Sequence, residues 1–279
     1  MHVFDGLTDE ATSAAMQARL AKNPNGEKKI WRQEQRKAKM IGDKIWEAKM
    51  TSNISTVLHR QGQWSRAHQS LNNALALLDD EFADDTLVLE ARKNILTNLG
   101  TCASECAQSK HRQRRVSQEH EWRKRAEGYF QDALDVSRKS GDQESVADAL
   151  GNVGTVYMIR EQYSEAMTYF QKALAIYQKL GNRKSMAIGF NNMGCAYIKQ
   201  ENFDDAKKFL GKALSLCKKE EFMDLVPKVL ANLGEIAKTQ GEVDTARMYW
   251  ENALYFFDGF GQEAKARSIR KQLASLEAV

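Results

Sequence analysis

Small residues return along this chain at a fixed interval of forty. Ala126, Ala166, Ala206 and Ala246 form one series; Ala133, Ala173, Ala213 and Ala253 form another. The pattern Asn-x-Gly-x-x-[Tyr/Ala] keeps the same interval. It reads Asn152-Val153-Gly154-Thr155-Val156-Tyr157, then Asn192-Met193-Gly194-Cys195-Ala196-Tyr197, then Asn232-Leu233-Gly234-Glu235-Ile236-Ala237. Asn98-Leu99-Gly100 is an earlier copy, and Asn53-Ile54-Ser55 is a degenerate first one. A constant period of this size predicts an array of small repeats, each burying its apolar face against its neighbours.

Each repeat reads as two helices. Val146, Ala149, Leu150, Val153, Val156 and Tyr157 make an i, i+3, i+4, i+7 stripe that predicts a first helix over about Gln143 to Arg160. Ala166, Tyr169, Phe170, Ala173, Leu174 and Tyr177 predict a second over about Tyr163 to Leu180, ended by Gly181-Asn182 as a left-handed cap. Gly42-Asp43 and Gly141-Asp142 hold the same place, and Glu221-Phe222 replaces them before the last repeat. Gly154 and its equivalents let the paired helices approach closely. Phe130, Phe170, Leu210 and Trp250 are expected to fill the space between repeats. With 2 prolines in 279 residues, long uninterrupted helices are allowed.

Two repeats depart from the pattern. The first has Ser55 in place of glycine and an acidic loop near Asp79 to Asp85. The second carries about fourteen extra residues between Gly100 and Ala126, without glycine or proline from Gln108 to Trp122. Seven residues on each helix is close to two turns, so a projecting helical hairpin is expected. Before the array, Lys28 to Met40 reads as a lone second-type helix, with Trp31 as far from Gly42 as Phe130 is from Gly141. Thr8 to Lys22 reads as a short helix closed by a turn at Asn23-Pro24-Asn25-Gly26. Gln262 to Leu276, with Ala266, Ile269 and Leu273 on one side, reads as a polar-backed cap.

Taken together, these residues resemble the tetratricopeptide repeat (TPR) family. The forty-residue spacing is most similar to the longer repeats of the kinesin light chain and of Pins-like adaptors. The resemblance covers about Gly42 to Asp258. It implies an all-α, right-handed TPR superhelix, an α-solenoid of about five repeats with an N-terminal half-repeat and a C-terminal capping helix. The expected divisions are an N-terminal segment at 1–26, the array at 27–260 and the cap at 261–279. The repeats fall at about 43–78, 87–140, 142–180, 182–220 and 222–258, with an extended basic helical hairpin at about 108–125.

The resemblance also implies where a partner would bind. In this family, first helices line a concave groove and the motif asparagine faces it. Carried over, the groove candidates are Asn53, Asn98, Asn152, Asn192 and Asn232, flanked by Lys49, Asn191, Lys199 and Lys228 among others. An asparagine amide offers donor and acceptor together, so a ladder of amides can hold a peptide backbone whatever its side chains. Asparagine here can also serve local helix contacts, and both uses stay open. The register that chaperone-tail adaptors of the family fill with cations reads Ser52 and Thr56, then Asp148 and Asn152; that subtype is not expected.

A second candidate contact is basic. Arg112, Arg114, Arg115, Arg123, Lys124 and Arg125 outnumber Glu119 and Glu121 in the insert, and Lys28, Lys29, Arg32, Arg36, Lys37 and Lys39 make another basic stretch. Either could meet an acidic or cytoskeletal partner, or be ordinary solvated surface. The net charge of +4 is mild and no recognition motif accompanies it, so nucleic acid is not expected. The spacing of Cys102 and Cys106 meets only half of a zinc pattern, so no metal and no cofactor are expected. Histidines scattered over different repeats assemble no acid–base site, so no enzyme is expected. Four scattered cysteines suit a reducing cytoplasm, and neither a secretory signal nor a membrane span is read.

The expected function is a non-catalytic protein–protein interaction adaptor or scaffold that binds a peptide or helical segment. The alternatives are a structural subunit of a cytoskeletal or ciliary assembly and a regulatory peptide receptor.

Overall fold

The computed structural model describes residues 5–21, 23–78, 85–113 and 115–276, without side chains at 5–9, 20, 111, 112 and 264. Among these residues there are thirteen α-helices and no strand. They are α1 (Asp5–Leu20), α2 (Pro24–Ile41), α3 (Lys44–Arg60), α4 (Trp64–Ala76), α5 (Thr86–Arg112), α6 (Val116–Ser140), α7 (Gln143–Ile159), α8 (Tyr163–Leu180), α9 (Arg183–Lys199), α10 (Phe203–Lys219), α11 (Val226–Thr239), α12 (Val243–Gly259) and α13 (Glu263–Ala274). The chain divides into two compact units, Met1–Ala149 and Leu150–Val279. Helical repeats fill both, and the fold is an all-α solenoid.

Left-handed residues set the period. From 141 to 261 one stands every twenty positions: Gly141, Glu161, Gly181, Glu201, Glu221, Gly241 and Gly261, with φ between 58° and 78°. Each ends a helix where a right-handed residue would continue it, so the chain reverses at regular intervals. Asn182 then caps α9 by accepting from the Ser185 amide at 3.0 Å, and Asp43 caps α3 by accepting from Trp46 at 2.8 Å. A left-handed L-residue costs about 1–2 kcal/mol, part of which glycine returns through its freer unfolded chain. Replacing Glu161, Glu201 and Glu221 together by glycine is therefore expected to raise stability by about 1–2 kcal/mol in urea titrations. An unchanged or lower midpoint would show that their side chains contribute something the backbone argument omits.

The motif glycine is where paired helices touch. A Cβ on Gly154 would lie 2.6 Å from Phe170, one on Gly194 would lie 2.7 Å from Leu210, and one on Gly234 would overlap the Trp250 indole. Gly100 meets Phe130 in the same way, at 2.6 Å. The large residues expected between repeats thus seat first against the glycine of their own hairpin. Ser55 and Leu71 hold the equivalent places in the degenerate repeat and line one small cavity of about 50 Å³. In the second unit, Trp250, Ala253 and Phe257 continue the core toward Ala266, Ile269 and Leu276 of the C-terminal end.

The N-terminal reading needs a correction. Asn23-Pro24-Asn25-Gly26 is the start of α2, not a turn closing a helix: Asn23 is its N-cap, accepting from the Gly26 amide at 2.9 Å, and Pro24 occupies its first turn. Proline suits that place because the first amides of a helix lack carbonyl partners. Of the acidic loop, 79–84 lie outside the described residues, and Asp85 accepts from the Leu87 amide at 2.7 Å.

In the first unit, α5 and α6 run for 27 and 25 residues, against 17 for α3. Their extended part packs against α4. Cys106 Sγ lies 3.9 Å from Ser65 Oγ, and the His68 ring meets Trp122 edge-on at 4.9 Å. His68, 7 % exposed, closes a ring of hydrogen bonds with Asn72 and Tyr129. Asn72 Nδ2 donates to His68 Nδ1 at 3.1 Å and Tyr129 Oη donates to Asn72 Oδ1 at 3.4 Å, so His68 Nε2–H donates to Tyr129 Oη at 3.1 Å. That ring requires a neutral imidazole.

Burial first, and then the Arg125 guanidinium, hold the His68 pKa below its ordinary value. The unfolded chain then binds the proton more tightly, so this contribution to stability is whole above about pH 6.5 and is lost as pH falls below it. Thermal melts are expected to show the wild type losing more stability than His68→Gln between about pH 7 and 5. Parallel pH profiles would contradict the hydrogen-bond ring.

Candidate functional site

The asparagines of the motif fall on the first helices, where they meet two different fates. In the second unit, Asn232 on α11 is engaged by its neighbour. Its Nδ2 donates to Asn191 Oδ1 at 2.9 Å and to Cys195 Sγ at 3.2 Å, both on α9. Asn191 Nδ2 also reaches Cys195 Sγ, at 3.9 Å. Burial, followed by the Glu235 carboxylate, pushes the Cys195 thiol up to about 11, so it serves as a neutral acceptor and not as a nucleophile. One turn further along, Lys199 Nζ pairs with Glu235 at 3.2 Å, again joining α9 to α11. This pair is half exposed at both ends, so its worth to stability is small.

Asn152 on α7 and Asn192 on α9 stand apart from this network. Both are half-buried, and no side-chain hydrogen bond among the described residues engages either amide. They lie one repeat apart and keep donor and acceptor available. Lys228 at the start of α11 is exposed and lies close enough to Lys265 to help burial lower that ammonium's pKa; the Lys265 Nζ sits 5.6 Å from the Phe257 ring.

In the first unit, Lys49 and Asn53 of α3 line an open cleft of about 530 Å³ with Glu90, Asn94 and Asn98 of α5. Asn98 Nδ2 donates to Ser52 Oγ at 3.2 Å, so it bridges the two first helices as Asn232 does. Asn53 makes no side-chain hydrogen bond among the described residues. The nine groove candidates therefore sort into bridging amides (Asn98, Asn191, Asn232), available amides (Asn53, Asn152, Asn192) and flanking lysines (Lys49, Lys199, Lys228).

The basic hairpin is depleted by internal pairing. Arg123 is half-buried and pairs with the buried Glu119. Arg125 pairs with Glu121 at 3.0 Å and lies 4.9 Å above the Trp122 ring. Arg115 and Lys124 are exposed. Arg114 and the Arg112 side chain lie outside the described residues. Cys102 and Cys106 are buried, and burial, the neighbouring Cys106 thiol and Glu105 push Cys102 up to about 12. Among the described residues no group of three histidines, cysteines or carboxylates is placed to hold a metal.

Residues 123–179 and 145–219 match the tetratricopeptide repeat family. These two matches coincide with the helical hairpins described above, from α6 to α10. Solved structures extend the likeness over almost the whole chain. The apo form of RapI shares 15 % identity over 95 % of both chains, with a TM-score of 0.64. A Rap protein complexed with competence and sporulation factor shares 16 % identity over 95 % of this chain and 72 % of that one, with a TM-score of 0.59. Aspartyl phosphate phosphatase F from Bacillus subtilis shares 13 % identity over 95 % of this chain and 68 % of that one, with a TM-score of 0.62. At such identities the likeness is one of fold. No curated protein matches the chain.

Proposed function

We propose that the second unit binds a polypeptide segment of a partner protein on the faces of α7 and α9, and that the protein acts as a non-catalytic interaction adaptor. The observation that carries this reading is the pair of available amides, Asn152 and Asn192, at equivalent positions of successive TPR motifs. A half-buried amide without a protein partner is supplied with donor and acceptor for a peptide group. The neighbouring amides, Asn191 and Asn232, are consumed in joining α9 to α11, and so stiffen that face. One structural neighbour was solved with competence and sporulation factor, which supports ligand binding as a use of this fold.

The forty-residue period makes the Pins-like and kinesin-light-chain adaptors the proposed subtype. A permanent subunit of a cytoskeletal or ciliary assembly is the alternative. Such a subunit needs its neighbours, so a chain that runs as a stable monomer favours the adaptor. Four free thiols suit a reducing cytoplasm. Among the described residues no helix is long and apolar enough to cross a membrane.

Photo-crosslinking tests the placement. Peptides selected from a random displayed library should crosslink efficiently to a photoreactive residue at Thr155, exposed on α7, and poorly to one at Thr168, exposed on α8. The reverse order would put the contact on the second helices and remove this reading.

A further inference from the structure

The outer face of α2 carries a basic ridge that the described residues leave unanswered. Lys29, Arg32, Arg36 and Lys39 are all exposed, and no acidic side chain among the described residues pairs with any of them. At about 100° per residue they fall within an arc of about 80°, and they span about 15 Å of helix. The two carboxylates of α2, Glu27 and Glu34, are buried on the opposite face, where Glu27 meets Arg60 and Glu34 meets Lys37. That inward face also holds Trp31 and Ala38, so α2 is anchored in the first unit while its cations face solvent. Met40 extends the ridge and is 85 % exposed. The hairpin, which holds the more obvious run of basic residues, spends Arg123 and Arg125 on its own glutamates.

We propose that this ridge is a docking surface for an acidic helical segment of another protein. The spacing selects the partner. A file of cations at i, i+3, i+7 and i+10 matches carboxylates at the same intervals on a second helix, because both rise about 1.5 Å per residue. A lipid surface would call for a broad patch, and this ridge is one side chain wide. Met40, at the end of the file, favours an apolar residue beside the last carboxylate of the partner. Charge pairing of this kind speeds encounter and weakens with salt.

The test uses the full chain and a synthetic helical peptide of roughly sixteen residues, with glutamates at i, i+3, i+7 and i+10 and a leucine beside the last. Binding is expected to weaken about tenfold between roughly 0.05 and 0.3 M salt. It should fall at least about 30-fold when Lys29, Arg32, Arg36 and Lys39 are changed to glutamate. Arg115→Glu with Lys124→Glu on the hairpin, and Asn152→Ala with Asn192→Ala, should leave it unchanged. Should the glutamate variant fail to fold by circular dichroism, the four glutamine substitutions replace it and should still weaken binding about tenfold. Absence of peptide binding, or an equal loss from the hairpin variant, overturns the proposal. So does tighter ridge-dependent binding to phosphatidylserine vesicles or single-stranded RNA, which would assign the ridge to lipid or nucleic acid.

Discussion

Trp250→Ala is expected to destabilise the unit at Leu150–Val279 by about 3–5 kcal/mol. Trp250 is 2 % exposed and is among the largest fully buried side chains. Its ring occupies the space opposite Gly234, and its Nε1 donates to the Ala231 carbonyl at 3.1 Å. Truncation leaves a cavity that neither helix can close, because α11 and α12 are also held by Leu230, Ala246 and Ala253. The carbonyl of Ala231 loses its indole donor as well. Gly234→Ala should cost at least about 1–3 kcal/mol by forcing the indole outward, and far less once Trp250 is alanine. A double-mutant cycle in urea measures that coupling. Additive effects would mean that the glycine and the tryptophan do not share one space.

Replacing Asn152 and Asn192 together by alanine is the change expected to affect function most. If each amide makes one or two hydrogen bonds to a bound backbone, at about 1 kcal/mol each, the pair contributes about 2–4 kcal/mol. Affinity should then fall by at least about 30-fold. Helicity should stay the same or rise slightly, since alanine favours helix over asparagine. Asn232→Ala should act differently. It breaks the link to Asn191 and Cys195, so its cost of about 1 kcal/mol should appear mainly as lost stability of the second unit.

The periodic part of this architecture was plain in the residues because small side chains and glycine have few other uses at fixed intervals. Gly141 and Gly181 announced left-handed caps for that reason. Glu161 and Glu201 gave no such signal, since glutamate rarely adopts that conformation and only the forty-residue register ties them to Gly241. Asn23-Pro24-Asn25-Gly26 misled because proline serves turns and first helical turns equally well. The partners of Phe170 and Trp250 depended on how paired helices cross, which spacing alone does not specify.

The site was legible only as a register. Sequence placed Asn152, Asn192 and Asn232 at equivalent positions, yet the structure uses Asn232 as a bridge and leaves the other two available. The difference arises from Asn191 and Cys195, whose side chains reach across from α9. The ring of His68, Asn72 and Tyr129 joins residues up to 61 positions apart and follows no repeat, so no periodic signal could reveal it. Likewise, the positive charge counted at Arg123 and Arg125 was real, but pairing with Glu119 and Glu121 is visible only once α6 is formed.

The most direct test of the central claim is a calorimetric titration of a library-selected peptide into the wild-type chain and into the Asn152→Ala, Asn192→Ala variant, with melting curves recorded for both. The account predicts a single site in the wild type, a loss of at least about 30-fold in the variant, and a variant that melts at the same temperature or slightly higher. Equal affinities in two equally stable proteins would contradict it.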